Sequence, residues 1–216
     1  MFDTVTARRM MVDGQVRTAD VTNLDLIAAM LAVPRELFVP AALSGQAYVD
    51  GDVPIGAGRA LLKPMVVAKL IQGAQVGAGD HVLDVGCGTG YAAAVLARIV
   101  ASVVALEEDA ALAQRAEAAL AAAGARVSVV RGSLTAGWPP AAPYDVILLN
   151  GATEIVPEAL GRQLKPGGRL ACIFGHAPNG KGMIYRMVED HLVGRPIFDA
   201  GAPVLPGFVA PAAFVF

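Results

Sequence analysis

The chain has 216 residues, 55% of them apolar and 17% charged, with a net charge of −2 and no basic run. That balance supplies a sizeable core and argues against a broad nucleic-acid footprint. Two cysteines far apart in sequence, Cys87 and Cys172, exclude a disulfide framework, and His81, His176 and His191 show no metal-ligand spacing with either of them.

The N-terminus "MFDTVTARRMMVDGQVR" lacks an apolar signal core, and no run reaches transmembrane length. A cytoplasmic protein acting without nucleic acid, membrane or metal is expected. Residues 6–16 and 22–33 have helical spacing, with Met10, Met11 and Val16 as one apolar set and Leu24, Ile27 and Leu31 as another. Thr22 followed by Asp25 resembles a capped start, and Pro34 stops the second helix. "RELFVPAAL" reads as a linker. Residues 64–74 read as a helix with Pro64 at its first position.

From His81 the pattern alternates. "HVLDVG", "SVVALE", "RVSVVRG", "YDVILLN" and "GGRLACIFG" read as strands. Between them, "YAAAVLARIV", the alanine-rich "DAALAQRAEAALAAAG" and "VPEALGRQLK" read as helices. Near-continuous apolar strands alternating with helices predict an α/β fold: a Rossmann-like, doubly wound, mostly parallel sheet with helices on both faces. After Gly175 the alternation stops. "GMIYRMVED" and "LVGRPIFDA" read as antiparallel strands at one sheet edge, and the apolar tail 201–216 is expected to pack on the body. Residues 1–75 form an expected helical and substrate-loop extension, and residues 76–216 the core.

Chemistry concentrates in "LDVGCGTGYAA" (83–93), where Asp84, Gly86, Gly88 and Gly90 form D-x-G-x-G-x-G between a strand and a helix. Glycines allow a sharp turn and close backbone approach, and a helix start offers free N–H groups. A dinucleotide fingerprint fails because its third glycine falls on Tyr91, and no G-K-[ST] follows for a P-loop. Glu107 closes the next strand 21 positions beyond Gly86, where an acid can hold both ribose hydroxyls. Loop and acid together resemble the class I S-adenosylmethionine methyltransferases. Cys87 reads as a small filler within this cofactor loop, and Glu108 and Asp109 as a helix-start charge cluster. Asn150, ending the fourth strand, is placed at the carboxyl edge of the sheet where ligands bind, lining both cofactor and acceptor.

A wider likeness covers most of residues 7–175. "MLAVPRELFVPAAL", "AYVDGDVPIGAG", "VLDVGCGTGYAAAVLA", "GWPPAAPYDVILLNGA" and "VPEALGRQLKPGGRL" occur in order. Together they resemble the protein-L-isoaspartate O-methyltransferase family. The resemblance implies methyl transfer from S-adenosyl-L-methionine to an isoaspartyl carboxylate of a damaged protein or peptide, and the ester then collapses to a succinimide. It assigns Asp84, Gly86, Gly88, Gly90 and Glu107 to the cofactor. It assigns Tyr48, Asp50, Pro54, Ile55 and Gly56 to the segment that closes over the substrate pocket.

The chain departs from the family pattern in two loops. Where the family reads G-Q-T-I-S-Q-P this chain has "GRALLKP" (58–64), which puts Leu62 on the serine beside the reacting carboxylate, Ala60 on the threonine and Lys63 on a glutamine. Where the family has G-D-G this chain has Gly132, Ser133 and Leu134 by the adenine. Ser133 keeps a hydroxyl, whereas leucine offers no hydrogen bond at all. No catalytic side chain is therefore assigned, and Lys63 offers a charge to an acidic acceptor. Two alternatives stand beside isoaspartyl transfer: a methyltransferase with another acceptor, and a cofactor-binding protein without isoaspartyl activity.

Overall fold

The computed structural model describes residues 3–176, 178–189 and 191–211. Helix α1, Thr4–Met11, starts at Asp3, whose carboxylate accepts from the amides of Val5 and Thr6. A π-helical turn, Val12–Val16, follows and rolls the apolar face, so Met11, Val12 and Val16 are buried while Met10 stays exposed. Helix α2, Leu24–Ala32, is capped by Asn23 rather than Thr22, because the Asn23 amide oxygen reaches the Leu26 N–H. Its inward face is Leu26, Ile27, Ala29 and Met30, leaving Leu24 and Leu31 outside. The expected linker is two short 3₁₀ turns, Arg35–Phe38 and Ala41–Gln46.

Strands β1, Val53–Gly56, and β2, Arg59–Leu61, form an antiparallel hairpin. Helix α3, Pro64–Gly73, follows with proline at its first position. The core then runs β3, His81–Val85; α4, Tyr91–Leu96; β4, Ser102–Glu107; α5, Ala110–Ala122; and β5, Ser128–Arg131. It continues with β6, Tyr144–Thr153; α6, Glu158–Gly161; β7, Leu164–Phe174; β8, Lys181–Val188; and β9, His191–Asp199. The helix expected over 156–165 shrinks to α6, because Pro157 starts it late and β7 already begins at Leu164.

The seven strands stand in the order β5-β4-β3-β6-β7-β8-β9. The first five are parallel, and β7-β8-β9 are antiparallel, as the change of pattern after Gly175 predicts. Strand residues alternate between two cores. Val82, Val103, Ala105, Val146 and Leu148 pack with the N-terminal helices and α3, α4 and α5. Leu83, Val85, Leu106, Ile147 and Leu149 pack with Leu160 of α6 and with Leu205 and Phe208 of the tail. The tail thus covers sheet surface: Leu205 N–H donates to the Ala152 carbonyl, and Ala152 N–H to the Pro203 carbonyl. The rest of the expected packed tail, 212–216, lies outside the described residues. No helix among the described residues is long and apolar enough to cross a membrane.

Candidate functional site

Strand β3 ends in the loop Gly86–Gly90, which turns into α4. Gly86, Gly88 and Gly90 have φ of 70°, 59° and 92°, a left-handed region that only glycine enters without strain. The N–H groups of Gly86 and Cys87 both donate to the Leu106 carbonyl, tying the loop to the end of β4. Thr89 hydroxyl donates to the Phe38 carbonyl and ties it to the N-terminal segment. Cys87 is buried, and burial pushes its thiol well above the ordinary range.

Glu107 closes β4 with no exposed surface. Its carboxylate accepts from Gly88 N–H at 2.8 Å, Glu108 N–H at 3.0 Å and Asp109 N–H at 3.3 Å. It is also held by Arg59 of β2, whose Nη1 lies 3.2 and 3.3 Å from the two oxygens. The same guanidinium donates from Nη2 to the Gly86 carbonyl at 2.6 Å. Asp84, also fully buried, has no partner in hydrogen-bond geometry on either oxygen among the described residues. Burial first, and the Glu107 charge second, raise its carboxyl to about 7. A cavity of about 350 Å³ opens beside this group, lined by Ala57, Arg59, Glu107, Glu108, Asp109 and Pro206.

The other expected residues spread around this centre. Ile55 leans onto the loop, its Cδ1 lying 2.6 Å from where a Gly88 side chain would begin. Its carbonyl accepts from Arg115. Pro54 and Gly56 are exposed on the hairpin. Lys63 precedes α3, and its N–H donates to Asp52 at 2.8 Å, so Asp52 fastens the loop while Asp50 lies exposed. Tyr48 is buried elsewhere, donating to Glu36 and accepting from Arg8 Nε at 3.1 Å. Burial and Glu36 push it up to about 12. It faces a second hollow with Met10, Gly14 and Gln15.

Ser133 is exposed and shares a hydrogen bond with Thr135, while Leu134 is buried and its N–H donates to Glu108. Glu108 and Asp109 both line the cleft, and Asp109 also caps α5. Asn150 does not end β6, which runs on to Thr153; it sits where the pairing with β7 shifts register, between Leu148 and Ala152.

The side chain of Leu62 is 1% exposed and packs in the helical core. The leucine is a core residue in this fold, and its burial accounts for its hydrophobicity.

A family model described as protein-L-isoaspartate(D-aspartate) O-methyltransferase matches residues 8–191. The chain belongs to the protein-L-isoaspartate O-methyltransferase family. It is 48% identical over 198 residues to a protein-L-isoaspartate O-methyltransferase of Methylorubrum extorquens, covering 92% of this chain and 85% of that one. To the enzyme of Ignicoccus hospitalis it is 40% identical over 205 residues, covering 92% and 94%. Two solved structures share the fold. One, a protein-L-isoaspartate O-methyltransferase, has a TM-score of 0.78 at 24% identity and covers 95% of this chain and 66% of its own. The other, from Plasmodium falciparum and in complex with S-adenosyl-L-homocysteine, has a TM-score of 0.79 at 16% identity and covers 92% and 97%.

Within this isoaspartate methyltransferase fold, the residue that sequence reasoning missed is Arg59. A lone arginine in a glycine-bounded hairpin carries no local signal. Only the packing of the β1-β2 hairpin on the core brings it against a strand-end glutamate 48 positions away.

Proposed function

We infer that the chain is an S-adenosyl-L-methionine-dependent methyltransferase that esterifies the carboxylate of isoaspartyl residues in damaged proteins and peptides. The observation that carries this is the 48% identity to a protein-L-isoaspartate O-methyltransferase across 92% of the chain. The donor set suits the cofactor. Glu107 is a buried carboxylate for ribose hydroxyls, and Asp84 holds two orphaned buried oxygens beside a loop where any side chain would collide with neighbours. A cationic, hydroxyl-bearing ligand answers both.

Asp84, Gly86, Cys87, Gly88, Gly90, Glu107, Ser133, Leu134 and Asn150 are proposed to line the cofactor. Tyr48, Asp50, Pro54, Ile55, Gly56 and Lys63, again with Asn150, are proposed to form the acceptor side. Bound there, S-adenosyl-L-methionine supplies an electrophilic methyl group. The protein's part is to hold an acceptor oxygen in line with that methyl and to keep water away. Transfer to that oxygen would take only the methyl group and leave the cofactor's sulfur as a neutral thioether. No proton moves, because a carboxylate is already ionised at neutral pH. No general base is required, so a leucine at position 62 removes none.

Residues 1–75 are proposed as the acceptor-side extension of a 76–216 cofactor core, the two sharing one apolar cluster. A reducing, cytoplasmic setting suits two buried free thiols. The test is transfer of labelled methyl to an isoaspartyl peptide, with the normal aspartyl peptide as control. Base-labile label in the first peptide alone is expected. Silence with both, while other proteins are labelled, sinks the isoaspartyl assignment.

A further inference from the structure

The two polar features expected to receive the cofactor, the Glu107 carboxylate and the Gly86 carbonyl, are both taken by one guanidinium. Arg59 Nη1 lies 3.2 Å from Glu107 Oε1 and 3.3 Å from Oε2, and Nη2 is 2.6 Å from the Gly86 oxygen. The pair is dry, with Arg59 6% exposed and Glu107 fully buried. Space is contested as well. A carbon added at Gly86 would lie 2.8 Å from Arg59 Nη2 and 3.1 Å from Leu205 Cδ2. Arg59 and Leu205 thus fill the contact layer that the glycine leaves open to a ligand.

We propose that Arg59 is an internal counter-ligand of the cofactor cleft, which S-adenosyl-L-methionine must displace from Glu107 and Gly86 before it can bind. The proposal rests on the methyltransferase reading above. Glu107 already accepts three backbone N–H groups, so a carboxylate with about four acceptor positions cannot serve ribose hydroxyls and Nη1 of Arg59 together. The hairpin is built to let go at its tip and not at its base. Gly56, Ala57 and Gly58 turn with positive φ and are exposed. Arg115 holds the Ile55 carbonyl, and Asp52 holds the Lys63 N–H. At Glu107 the exchange replaces a guanidinium by uncharged ribose hydroxyls, and it places a closed-to-open step ahead of cofactor binding.

The experiment is calorimetric titration of the full chain with S-adenosyl-L-homocysteine, comparing wild type, Arg59→Gln and Arg59→Lys. Removing the competing charge is expected to tighten Kd about tenfold in Arg59→Gln, while Arg59→Lys, which keeps the charge but loses the fork, falls between. Equal or weaker binding by a folded Arg59→Gln overturns the proposal, since the arginine would then be neutral or a true ligand contact. If that variant does not fold, stopped-flow binding to wild type decides. A rate that levels off with ligand concentration supports a displacement step, and one that rises linearly overturns it. Wild type and variants that all fail to bind would instead remove the methyltransferase reading, a result distinct from binding unaffected by Arg59.

Discussion

The carbonyl of Leu62 accepts a 2.7 Å hydrogen bond from Nη2 of Arg35, a fully buried guanidinium that also donates from Nε to the Ala47 carbonyl and lies 4.6 Å from the ring centre of Tyr91. Position 62 is therefore held by its backbone, and its side chain serves the core. Leu62→Ser puts a hydroxyl into that core and leaves a void, at a cost of about 3 kcal/mol. Urea unfolding should show that loss. The variant's kcat/KM on an isoaspartyl peptide should not rise above wild type, and a clear rise would mean that the serine hydroxyl does chemistry here.

Glu107 gathers three backbone N–H groups and Arg59 on one carboxylate. Glu107→Gln keeps the shape but halves the accepting capacity and strands the buried arginine. The expected result is a loss of about 2 kcal/mol in cofactor binding, roughly thirtyfold in Kd, with a lower melting temperature. Calorimetry and thermal unfolding on one sample separate the two effects.

Tyr48 joins Arg8 of α1 to Glu36 of the first 3₁₀ turn. Tyr48→Phe removes one donor and one acceptor from a half-buried network, which costs about 1 kcal/mol. If the hollow beside it receives the acceptor chain, KM for an isoaspartyl peptide rises a few-fold while the cofactor Kd stays at the wild-type value. Steady-state kinetics with each substrate varied in turn checks this.

The sheet was readable because each strand from His81 to Phe174 contains a short apolar run, although β7 starts earlier than its run, at Leu164. The glycine loop after β3 was readable because Gly86, Gly88 and Gly90 serve a local backbone need, and that need is written locally. Helix orientation at the N-terminus was less legible. Met10 and Leu24 face solvent although their spacing fits a core stripe: the π-turn at Val12–Val16 carries the buried face on through Met11, Val12 and Val16, and Leu24 is the first residue of a separately capped α2. The partners of Glu107 were not legible at all. Glu108 and Asp109 read as a helix-start charge cluster, yet both line the cleft and give their N–H groups to Glu107, and Arg59 arrives from a hairpin whose position depends on the whole fold. Leucine at position 62 read only as a departure from the family serine, because its packing in the core follows from the whole fold.

Asp84 has a sharper signature in pH. Its carboxyl, at about 7 in the folded chain against 3.8 for an ordinary aspartate, keeps in the native state a proton that the unfolded chain gives up. Unfolding then releases a proton between roughly pH 4 and 7, so this residue's contribution to stability is whole below the lower value and is lost as pH rises through the upper one. The slope is at most about 1.4 kcal/mol per pH unit. Asp84→Asn, which cannot ionise, should flatten that part of the stability curve and should gain most over wild type above pH 7. A cationic cofactor beside Asp84 pulls its carboxyl back toward ionisation, so binding S-adenosyl-L-methionine at pH 6 should release close to one proton. Calorimetry in two buffers of different ionisation enthalpy counts that proton, and Asp84→Asn should release none. Equal release by wild type and variant would show that the proton comes from another group.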